Sequence, residues 1–586
     1  MKEILKFLKP YRKKLVAVAV MYAIATVSSL LMPYVMSMIV DDGIREKNLR
    51  VIIGASAFMI ILSLVSLITS IISIRINTSV TTGFSSSVCK AMFKKINSLS
   101  FDQYSKIGSS GLLTRSTDDV FNIEGAASEF VYTVVTVPMM LIGGTVFSFM
   151  SDSALSLIFI IFIPPVLIFI SFLVKPLYDM WDRSDKYIDV QNRIVRERLS
   201  GLRVVRAFNN EDKEHKRAKF ATEEMSKYII KANVRSGYIT PVALLFLNLA
   251  TVVMIWIASL RAQAGFLTNA GSVIATIQYV ALISNAILTL SWTIAWIPHL
   301  KVSVKRIGEV LCMPKEDEGA DDVITPVFKK DEGVGVEISD MYFTYPDSSS
   351  PVLKNINMKI GCGETVAIIG GTGSGKTTLV RLLLNFYTVD SGSIIIGGKQ
   401  YSELKKGEVR SAYSPTLQRG MIFEGTLRDN ITMGNRDISD GKILSAAADC
   451  ELSEFIESHT EGLDYGLVGM GQNVSGGQKQ RINMCRSVIR EAPIYIFDDS
   501  FSALDYLTER KIQQRLFKRL KGKTKIIVTQ RVSTALACEH IYVMDKGTVV
   551  GSGKHSELIK NCDIYREICI SQLGEKALGG DSSGAN

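Results

Sequence analysis

The chain has 586 residues, which is too long for one hydrophobic core and predicts roughly two or three domains. Hydrophobic residues make up 47% of it, a high share for a soluble protein, and they concentrate before residue 300. The formal net charge of +10 suits cytoplasmic loops that lie beside anionic lipid, so we expect no nucleic-acid partner. The eight cysteines form no Cys-x-x-Cys pair, which argues against a disulfide framework or a metal site.

Six apolar runs precede residue 300, each long enough to cross a lipid bilayer at about 20 residues per crossing. These runs are 15–40, 51–74, 130–150, 154–174, 240–260 and 271–297. The connection 175–239 holds fifteen Lys and Arg, and 75–129 is also long and basic, whereas 151–153 and 261–270 hold one between them. Because basic loops stay in the cytoplasm, the pattern predicts six spans with both termini inside. Each of the two long connections has too many residues for a simple turn, which predicts that the membrane helices extend into the cytosol.

No ionisable residue lies within these six runs, although Arg75, Glu129 and Arg261 lie at their ends, so the sequence gives no candidate for a proton path. The runs do contain aromatic residues, methionines and small polar residues. Examples are Met139, Met140, Phe246, Asn248, Tyr279, Asn285, Trp292 and Trp296. Such side chains can line a pocket for amphiphilic cargo, or they can serve helix packing and interfacial anchoring, and the sequence leaves both open.

The part after the membrane region reads as α/β sequence. We predict a membrane domain over 1–310, a polar, acidic linker over 311–334, and a second domain over 335–572. The tail 573–586 is rich in Gly and Ser and is predicted to be disordered.

A phosphate-binding loop lies at residues 370–377, between a predicted strand at 366–369 and a predicted helix. Its backbone amides are placed to cradle phosphates, Lys376 supplies positive charge to the β and γ phosphates, and Thr377 offers a hydroxyl to magnesium. The predicted ATP-binding residues here are Gly370, Gly371, Thr372, Gly373, Ser374, Gly375, Lys376, Thr377 and Thr378.

Two further motifs follow in order: Val-Ser-Gly-Gly-Gln at 474–478, called here the signature loop, and Ile-Tyr-Ile-Phe-Asp-Asp-Ser at 494–500. With the six spans, this layout resembles an ABC exporter half-transporter over about residues 1–572. The resemblance implies an α-helical membrane domain with six transmembrane helices and long cytosolic extensions, followed by an α/β P-loop ATPase domain that uses ATP and Mg²⁺. It also implies that 102–120 and 192–208 are intracellular loops ending in short coupling helices.

The resemblance assigns further roles, each beside a plainer alternative. Tyr345 would stack on adenine, or it is an ordinary strand tyrosine. Gln418 and Asp498 would serve magnesium, Asp498 through water, although Gln418 can also be an ordinary surface glutamine. The signature loop would bind the ATP of the partner subunit, or it only caps a helix. The residues implied to act in this partner site are Ser475, Gly476, Gly477, Gln478 and Asp505.

Two catalytic positions depart from the family pattern. Asp499 stands where an active site carries Glu, and its carboxylate is withdrawn by about 1.5 Å from a water that a general base must reach. Gln530 stands where the family has a histidine, and a glutamine cannot carry positive charge. Together they predict a site that binds ATP but hydrolyses it poorly.

These departures resemble the degenerate-site subunit of bacterial heterodimeric multidrug ABC exporters. That resemblance implies a second half-transporter as partner, a plasma-membrane location, and hydrophobic or amphiphilic cargo exported by alternating access. Two alternatives stay open. One is a homodimer with two impaired sites that acts as an ATP-gated membrane protein, and the other is a dedicated lipid or peptide exporter.

Overall fold

The computed structural model describes residues 2–264, 269–316, 327–346 and 348–574. It divides the chain into two compact units, Met1–Asn97 with Ser109–Met313 and Ser98–Gly108 with Pro314–Asn586. Part of the predicted linker (317–326) and most of the predicted disordered tail (575–586) lie outside the described residues.

The first unit is helical, and six of its helical stretches are long and apolar enough to cross a membrane, which confirms the predicted fold class. A 3-10 turn over Lys6–Tyr11 and a π-helical turn over Ile39–Ile44 flank the first span. The helices in this part of the chain are α1 (Lys2–Leu5), α2 (Arg12–Met38), α3 (Leu49–Asn97), α4 (Phe101–Ile107), α5 (Ser109–Ser116), α6 (Asp118–Ser151), α7 (Ser153–Val174), α8 (Leu177–Ser200), α9 (Leu202–Ala207), α10 (Glu211–Gly237), α11 (Ile239–Gln263) and α12 (Ala270–Cys312).

The spans are apolar on nearly all sides, as helices in a bilayer must be. In α3, Ile60, Leu64 and Ile71 are each more than half exposed, so they present apolar surface outward. The packed interior of this unit instead uses fully buried residues such as Leu155 and Ile283.

Tyr279 belongs to that interior. Its side chain is fully buried, and its hydroxyl donates a hydrogen bond of 2.9 Å to the carbonyl oxygen of Leu30. Of the two roles that the sequence leaves open for this aromatic residue, helix packing is therefore the one that the structure supports.

Short helices occur in both connections that the sequence predicts to be intracellular. The first connection contains α4 and α5, and the second contains α9. A capping box fixes the start of α4, because Ser100 accepts from the amide of Gln103 and the Gln103 side chain accepts from the amide of Ser100. Although α4 lies between two membrane helices in sequence, it belongs to the second compact unit.

The second unit is built on two main sheets. The six-stranded sheet has the order β12-β11-β3-β10-β9-β6, and the four-stranded sheet has the order β2-β1-β4-β5. The strands are β1 (Val336–Phe343), β2 (Leu353–Ile360), β3 (Thr365–Ile369), β4 (Ser391–Ile396), β5 (Lys399–Gln400), β6 (Tyr413–Thr416), β7 (Gly425–Thr426), β8 (Gly466–Leu467), β9 (Ile494–Asp498), β10 (Thr524–Thr529), β11 (His540–Asp545) and β12 (Thr548–Gly553). The later helices are α13 (Lys376–Leu383), α14 (Lys406–Ser411), α15 (Leu427–Thr432), α16 (Asp440–Asp449), α17 (Ser453–Glu457), α18 (Gly476–Ile489), α19 (Tyr506–Arg519), α20 (Val532–Ala535), α21 (His555–Asn561) and α22 (Asp563–Leu573).

Strands β3, β10 and β9 position the candidate site. They are parallel neighbours, and every residue in them is buried, as the core strands of an α/β sheet require. Their carboxyl ends meet at one edge of the sheet, where ligands of open α/β folds bind. This edge brings together the phosphate loop after β3, Asp498 at the end of β9, and Gln530 after β10.

Candidate nucleotide-binding site

A cavity of about 280 Å³ opens at this edge of the sheet. Most of the residues predicted to hold ATP and magnesium line it together. The lining comprises Val352, Thr372, Gly373, Ser374, Gly375, Lys376, Thr377, Thr378, Gln418, Asp498, Asp499, Val528 and Gln530. Val352 and Val528 are the lining residues that the sequence analysis did not propose, and no motif marks either of them.

The phosphate loop depends on glycine for its shape. Gly375 has a φ of +101°, and a Cβ there would lie 2.5 Å from Leu353 Cδ2, so both conformation and space exclude a side chain. The ammonium of Lys376 donates hydrogen bonds of 2.7 Å to the carbonyl oxygens of Gly370 and Gly371. Burial lowers the pKa of Lys376, while the nearby carboxylates act in the opposite direction. A partly desolvated cation at the start of α13 is suited to receive a polyphosphate anion.

Two adjacent carboxylates face this cation. Asp498 is 2% exposed, and burial, followed by the charge of Asp499, raises its pKa to about 6. Burial also raises the pKa of Asp499. The Gln418 amide lies 3.5 Å from Asp499 Oδ2, at the limit of a hydrogen bond.

The oxygen donors of this cavity fit Mg²⁺. Thr377, Gln418 and Asp498 line it with a hydroxyl, an amide and a carboxylate, which are the hard ligands that this ion uses. Burial raises the pKa of both Asp498 and Asp499 although Lys376 acts in the opposite direction, so a further cation in the cavity would favour their charged forms.

Gln530 lies beside the phosphate loop. Its Oε1 accepts from Thr372 Oγ1 at 3.4 Å, and its backbone oxygen accepts from Gln572 Nε2 at 2.7 Å. A neutral amide therefore lies at the position where the family resemblance implies an imidazole.

Tyr345 lies beside α13 and outside the lining of the cavity. Its hydroxyl is 3.0 Å from Thr378 Oγ1 and accepts from Arg381 Nη1 at 3.1 Å. Because Thr378 and Arg381 both belong to α13, these contacts connect Tyr345 to the helix that follows the phosphate loop. The hydroxyl of an exposed strand tyrosine would instead face solvent. Arg381 has no motif of its own and was not proposed from the sequence.

A row of aromatic rings extends from Tyr345 to α4. The Tyr345 and Tyr387 rings are perpendicular with centroids 5.3 Å apart, and the Tyr387 and Phe101 centroids are 5.6 Å apart. The Arg381 guanidinium lies 6.0 Å from the Phe101 ring centroid. We call Tyr345, Tyr387 and Phe101 the aromatic row. Nothing local in the sequence indicates it, because its members come from segments far apart in the chain.

The signature loop caps a helix in this single chain. Ser475 Oγ accepts from the Gln478 amide at 3.2 Å, and Gln478 Oε1 accepts from the Ser475 amide at 2.7 Å, which forms a capping box at the start of α18. A Cβ on Gly477 would lie 3.3 Å from the Ala503 carbonyl oxygen, while a Cβ on Gly476 would meet open space. Among the described residues that line the cavity, none comes from the signature loop.

Asp505 also caps a helix. Its carboxylate accepts from the Thr508 amide at 2.9 Å, and this hydrogen bond holds the pKa of Asp505 below its usual value. The same region is connected to Gln530 by its neighbour Arg531, whose guanidinium binds the Ser502 carbonyl at 3.0 Å and Glu509 at 2.5 Å. No sequence motif marks Arg531.

Comparison with known proteins gives the family. Residues 15–287 match the family model described as the ABC transporter transmembrane region, and 353–502 match the one described as ABC transporter. An uncharacterized ABC transporter ATP-binding protein of Mycobacterium tuberculosis (strain ATCC 25618 / H37Rv) is 33% identical over 577 residues, which cover 98% of each chain. The chain belongs to the ABC transporter family.

Two further proteins are similar to this ABC transporter over nearly its whole length. An uncharacterized ABC transporter ATP-binding protein, YfiB, of Bacillus subtilis (strain 168) is 30% identical over 98% of this chain and 99% of its own. The solved structure of a bacterial Atm1-family ABC exporter with ATP bound superimposes with a TM-score of 0.82 at 19% identity, covering 98% and 99% of the two chains. At that identity the match shows the fold, which is that of an exporter with membrane and ATPase regions in one chain.

The predicted family is therefore confirmed. This ABC transporter is a multi-pass membrane protein with bacterial relatives, and its ATPase domain binds ATP and drives transport of a substrate. The roles of individual site residues, the impaired site and the heterodimer remain predictions.

Proposed function

We propose that this ABC transporter is one half of a heterodimeric exporter of hydrophobic or amphiphilic compounds, and that its own phosphate-loop site binds ATP but hydrolyses it slowly. The observation that carries this proposal is that Asp499 and Gln530 line the same cavity as Lys376. Both substitutions would therefore act on the same bound nucleotide.

The residues that we propose bind phosphate and magnesium lie together in this cavity. The glycine-dependent loop, Lys376 and the oxygen donors Thr377 and Asp498 are all present on its wall. Mg²⁺ held there would neutralise phosphate charge, and Lys376 would exchange its loop carbonyl partners for phosphate oxygens. The chemical part is weakened, because the water-activating carboxylate is on a shorter side chain and Gln530 supplies no positive charge.

A partner is proposed because the signature loop does not face its own cavity. A helix N-terminus with free backbone amides attracts an anion, and Gly476 leaves the approach to α18 open. In the proposed assembly this loop completes the site of the partner, whose own Glu and His would carry most of the turnover. Ser475 can keep its capping bond and still present its hydroxyl to a phosphate.

The aromatic row supports coupling between nucleotide and membrane helices. Phe101 lies on α4, and the chain on either side of α4 continues into the helices of the membrane unit. If adenine binding shifts Tyr345, the perpendicular ring contacts with Tyr387 pass that shift toward Phe101. Coupling of this kind is reciprocal, so a change at α4 would also alter nucleotide affinity.

The test is an attempt to repair the site. The full-length chain, reconstituted alone in lipid nanodiscs, should bind a fluorescent ATP analogue and hydrolyse ATP close to background. Lys376→Ala should abolish analogue binding. The double variant Asp499→Glu with Gln530→His should raise hydrolysis by roughly a hundredfold, the lower end of what a positioned general base contributes.

Robust hydrolysis by the unmodified chain that disappears in Lys376→Ala would overturn the proposal. A repaired variant that binds the analogue but stays inactive would also overturn it, because the two substitutions would then not be what limits hydrolysis. The second candidate is a homodimeric, ATP-gated membrane protein without pumping. The supporting observation for that candidate is the same pair, Asp499 and Gln530, present in both copies of a homodimer.

A further inference from the structure

The ATPase domain contains a second cavity, of about 310 Å³. It is lined by residues at the end of α13 and in the segment that follows it, by strand β4, and by residues from the segment 400–406. Among the described residues, none lines both this cavity and the nucleotide-binding cavity. Its volume lies at the lower end of the range for small-molecule sites, roughly 300–1,000 Å³, which favours a small ligand.

Part of the lining of the second cavity is apolar. Leu382 and Ile394 are 1% and 4% exposed, and Val389 and Leu404, which also line the cavity, are half-buried. Burial of the faces of a flat ring against such side chains is favourable. The apolar lining therefore suits a cyclic ligand.

A buried amide side chain lines the same cavity without a hydrogen-bond partner. Asn385 is 7% exposed, and none of the residues that the structure describes hydrogen-bonds to its side-chain amide. Its backbone has a φ of +53°, its N–H donates to the Leu382 carbonyl at 2.9 Å, and its carbonyl accepts from Arg410 Nη2 at 3.2 Å. Because buried polar groups are nearly always hydrogen-bonded, this held amide is suited to a ligand that offers both a donor and an acceptor.

Charge in the second cavity is already compensated. Lys406 is the one Lys, Arg, Asp or Glu among the described lining residues, and its ammonium lies 3.6 Å from a carboxylate oxygen of Glu316. The hydroxyls of Thr388 and Ser393 add neutral hydrogen-bonding groups to the lining. A neutral polar ligand therefore fits this lining better than an ion does.

We propose that the second cavity binds a neutral heterocyclic base that carries an N–H donor and a C=O acceptor side by side, as uracil does, and that Asn385 recognises this edge. The amide of an asparagine presents a carbonyl and an NH₂ group on one edge, so it can form two hydrogen bonds with such a base. Tyr387 also lines the cavity, so an occupant would contact the aromatic row between Tyr345 and Phe101. This site goes beyond the proposed function, because it involves neither the phosphate loop nor the cargo.

Other occupants fit the lining less well. A trans peptide presents its N–H and C=O groups on opposite sides, so a peptide segment cannot offer both to one amide side chain. An acyl chain would cover the apolar lining but leave the Asn385 amide unpaired, which is unfavourable for a buried polar group. An organic anion would find the charge of Lys406 already paired with Glu316.

The experiment compares uridine with 3-methyluridine, which has the same ring and sugar but lacks the N–H donor. Equilibrium dialysis measures binding of each nucleoside to the full-length chain in lipid nanodiscs, without nucleotide, and empty nanodiscs provide the correction. Uridine should bind at least tenfold more tightly than 3-methyluridine, a difference of about 1.4 kcal/mol.

Two variants test the role of Asn385, and both residue types tolerate its positive φ. Asn385→Gly removes the amide, so the two nucleosides should bind equally. Asn385→Asp keeps the shape of the side chain but loses the NH₂ donor, so uridine binding should weaken at least tenfold. Retained binding of the fluorescent ATP analogue shows that each variant is folded.

Matched controls exist for position and for site. Asn355→Gly replaces another asparagine at positive φ, 50°, in the same domain and outside the second cavity, and should leave uridine binding unchanged. Lys376→Ala, which should abolish binding of the ATP analogue, should also leave uridine binding unchanged, because Lys376 does not line the second cavity.

Absence of uridine binding, equal binding of the two nucleosides to the unmodified chain, or an unchanged preference in Asn385→Gly would each overturn the proposal. Loss of uridine binding in Lys376→Ala would also overturn it, since uridine would then occupy the nucleotide-binding cavity. Because the assay contains neither nucleotide nor a second subunit, its result does not depend on whether the ATP site is impaired. Failure of the heterodimer proposal and failure of this one are therefore separable.

Discussion

Two regions of the ATPase domain differ in what they contribute to the proposed function: the cavity at the ends of β3, β9 and β10, and the signature loop at the start of α18. The cavity is lined by the phosphate loop together with Asp499 and Gln530, the two residues that we propose slow hydrolysis. The signature loop does not line that cavity, and its backbone is fixed by a capping box and by the close approach of Gly477 to Ala503. Under the proposed function the difference separates ATP binding, which takes place at the cavity of this chain, from most of the ATP chemistry, which takes place at the site that the signature loop completes.

The largest effect is expected at the signature loop. In an assembled heterodimer, Gly477→Asp should lower ATPase activity by roughly a hundredfold. The new carboxylate would repel the γ-phosphate, which the backbone amides at the start of α18 would otherwise bind. Steady-state hydrolysis measures the effect. Gly441→Asp is a suitable control, since a Cβ there meets open space.

A near-normal rate in Gly477→Asp would break the comparison, because it would mean that the signature loop takes no part in the productive site.

A smaller effect is expected at the aromatic row. Phe101→Ala should weaken binding of a fluorescent ATP analogue by about threefold and reduce cargo-stimulated hydrolysis, because the Tyr387 ring loses its contact with α4. Titration of the analogue and ATPase assays with and without cargo give the two values.

Tyr104→Ala, on the same helix, serves as the control for general damage to α4. If both variants behave alike, the ring contact with Tyr387 has no particular role.

A modest effect is also expected at Arg531. Replacing it with Met should lower heterodimer ATPase by a few-fold, because the guanidinium that joins the Gln530 segment to Ser502 and Glu509 is lost. A hydrogen bond to a charged group typically contributes about 1.5–3 kcal/mol to the free energy of unfolding. Part of its loss should therefore appear as a lower melting temperature. Thermal unfolding and ATP hydrolysis measured on one preparation separate the loss of stability from the loss of activity. An unchanged melting temperature together with an unchanged ATPase rate would exclude a role for Arg531 in holding the Gln530 segment.

The smallest effect is expected at the impaired site itself. Asp499→Asn should change heterodimer ATPase by less than about twofold, since the shorter side chain is already poorly placed for general-base catalysis. Measured beside Gly477→Asp in the same heterodimer, it sharpens the comparison between the two surfaces. Loss of turnover in Asp499→Asn with normal turnover in Gly477→Asp would reverse the proposed roles of the two sites.

Much of this protein is determined by local sequence. The phosphate loop, the strand that delivers Asp498 and the six membrane spans each depend on about 5 to 25 consecutive residues, so hydropathy and motif spacing predict them directly. The same holds for the departures at Asp499 and Gln530, since each is defined by its place in a short motif. The structure accordingly places both residues on one cavity wall with Lys376.

The tertiary structure decided which side chains from distant segments of the chain come into contact. It assigned Tyr279 to the packed interior through its bond to Leu30, and it joined Phe101 to Tyr387 across two segments far apart in sequence. It also placed Asn385 in one cavity with Ile394 and Leu404, where the sequence shows only an asparagine after a helix. A residue type sets what a side chain can bind, but only the packing of helices and strands decides which of those groups face the same space.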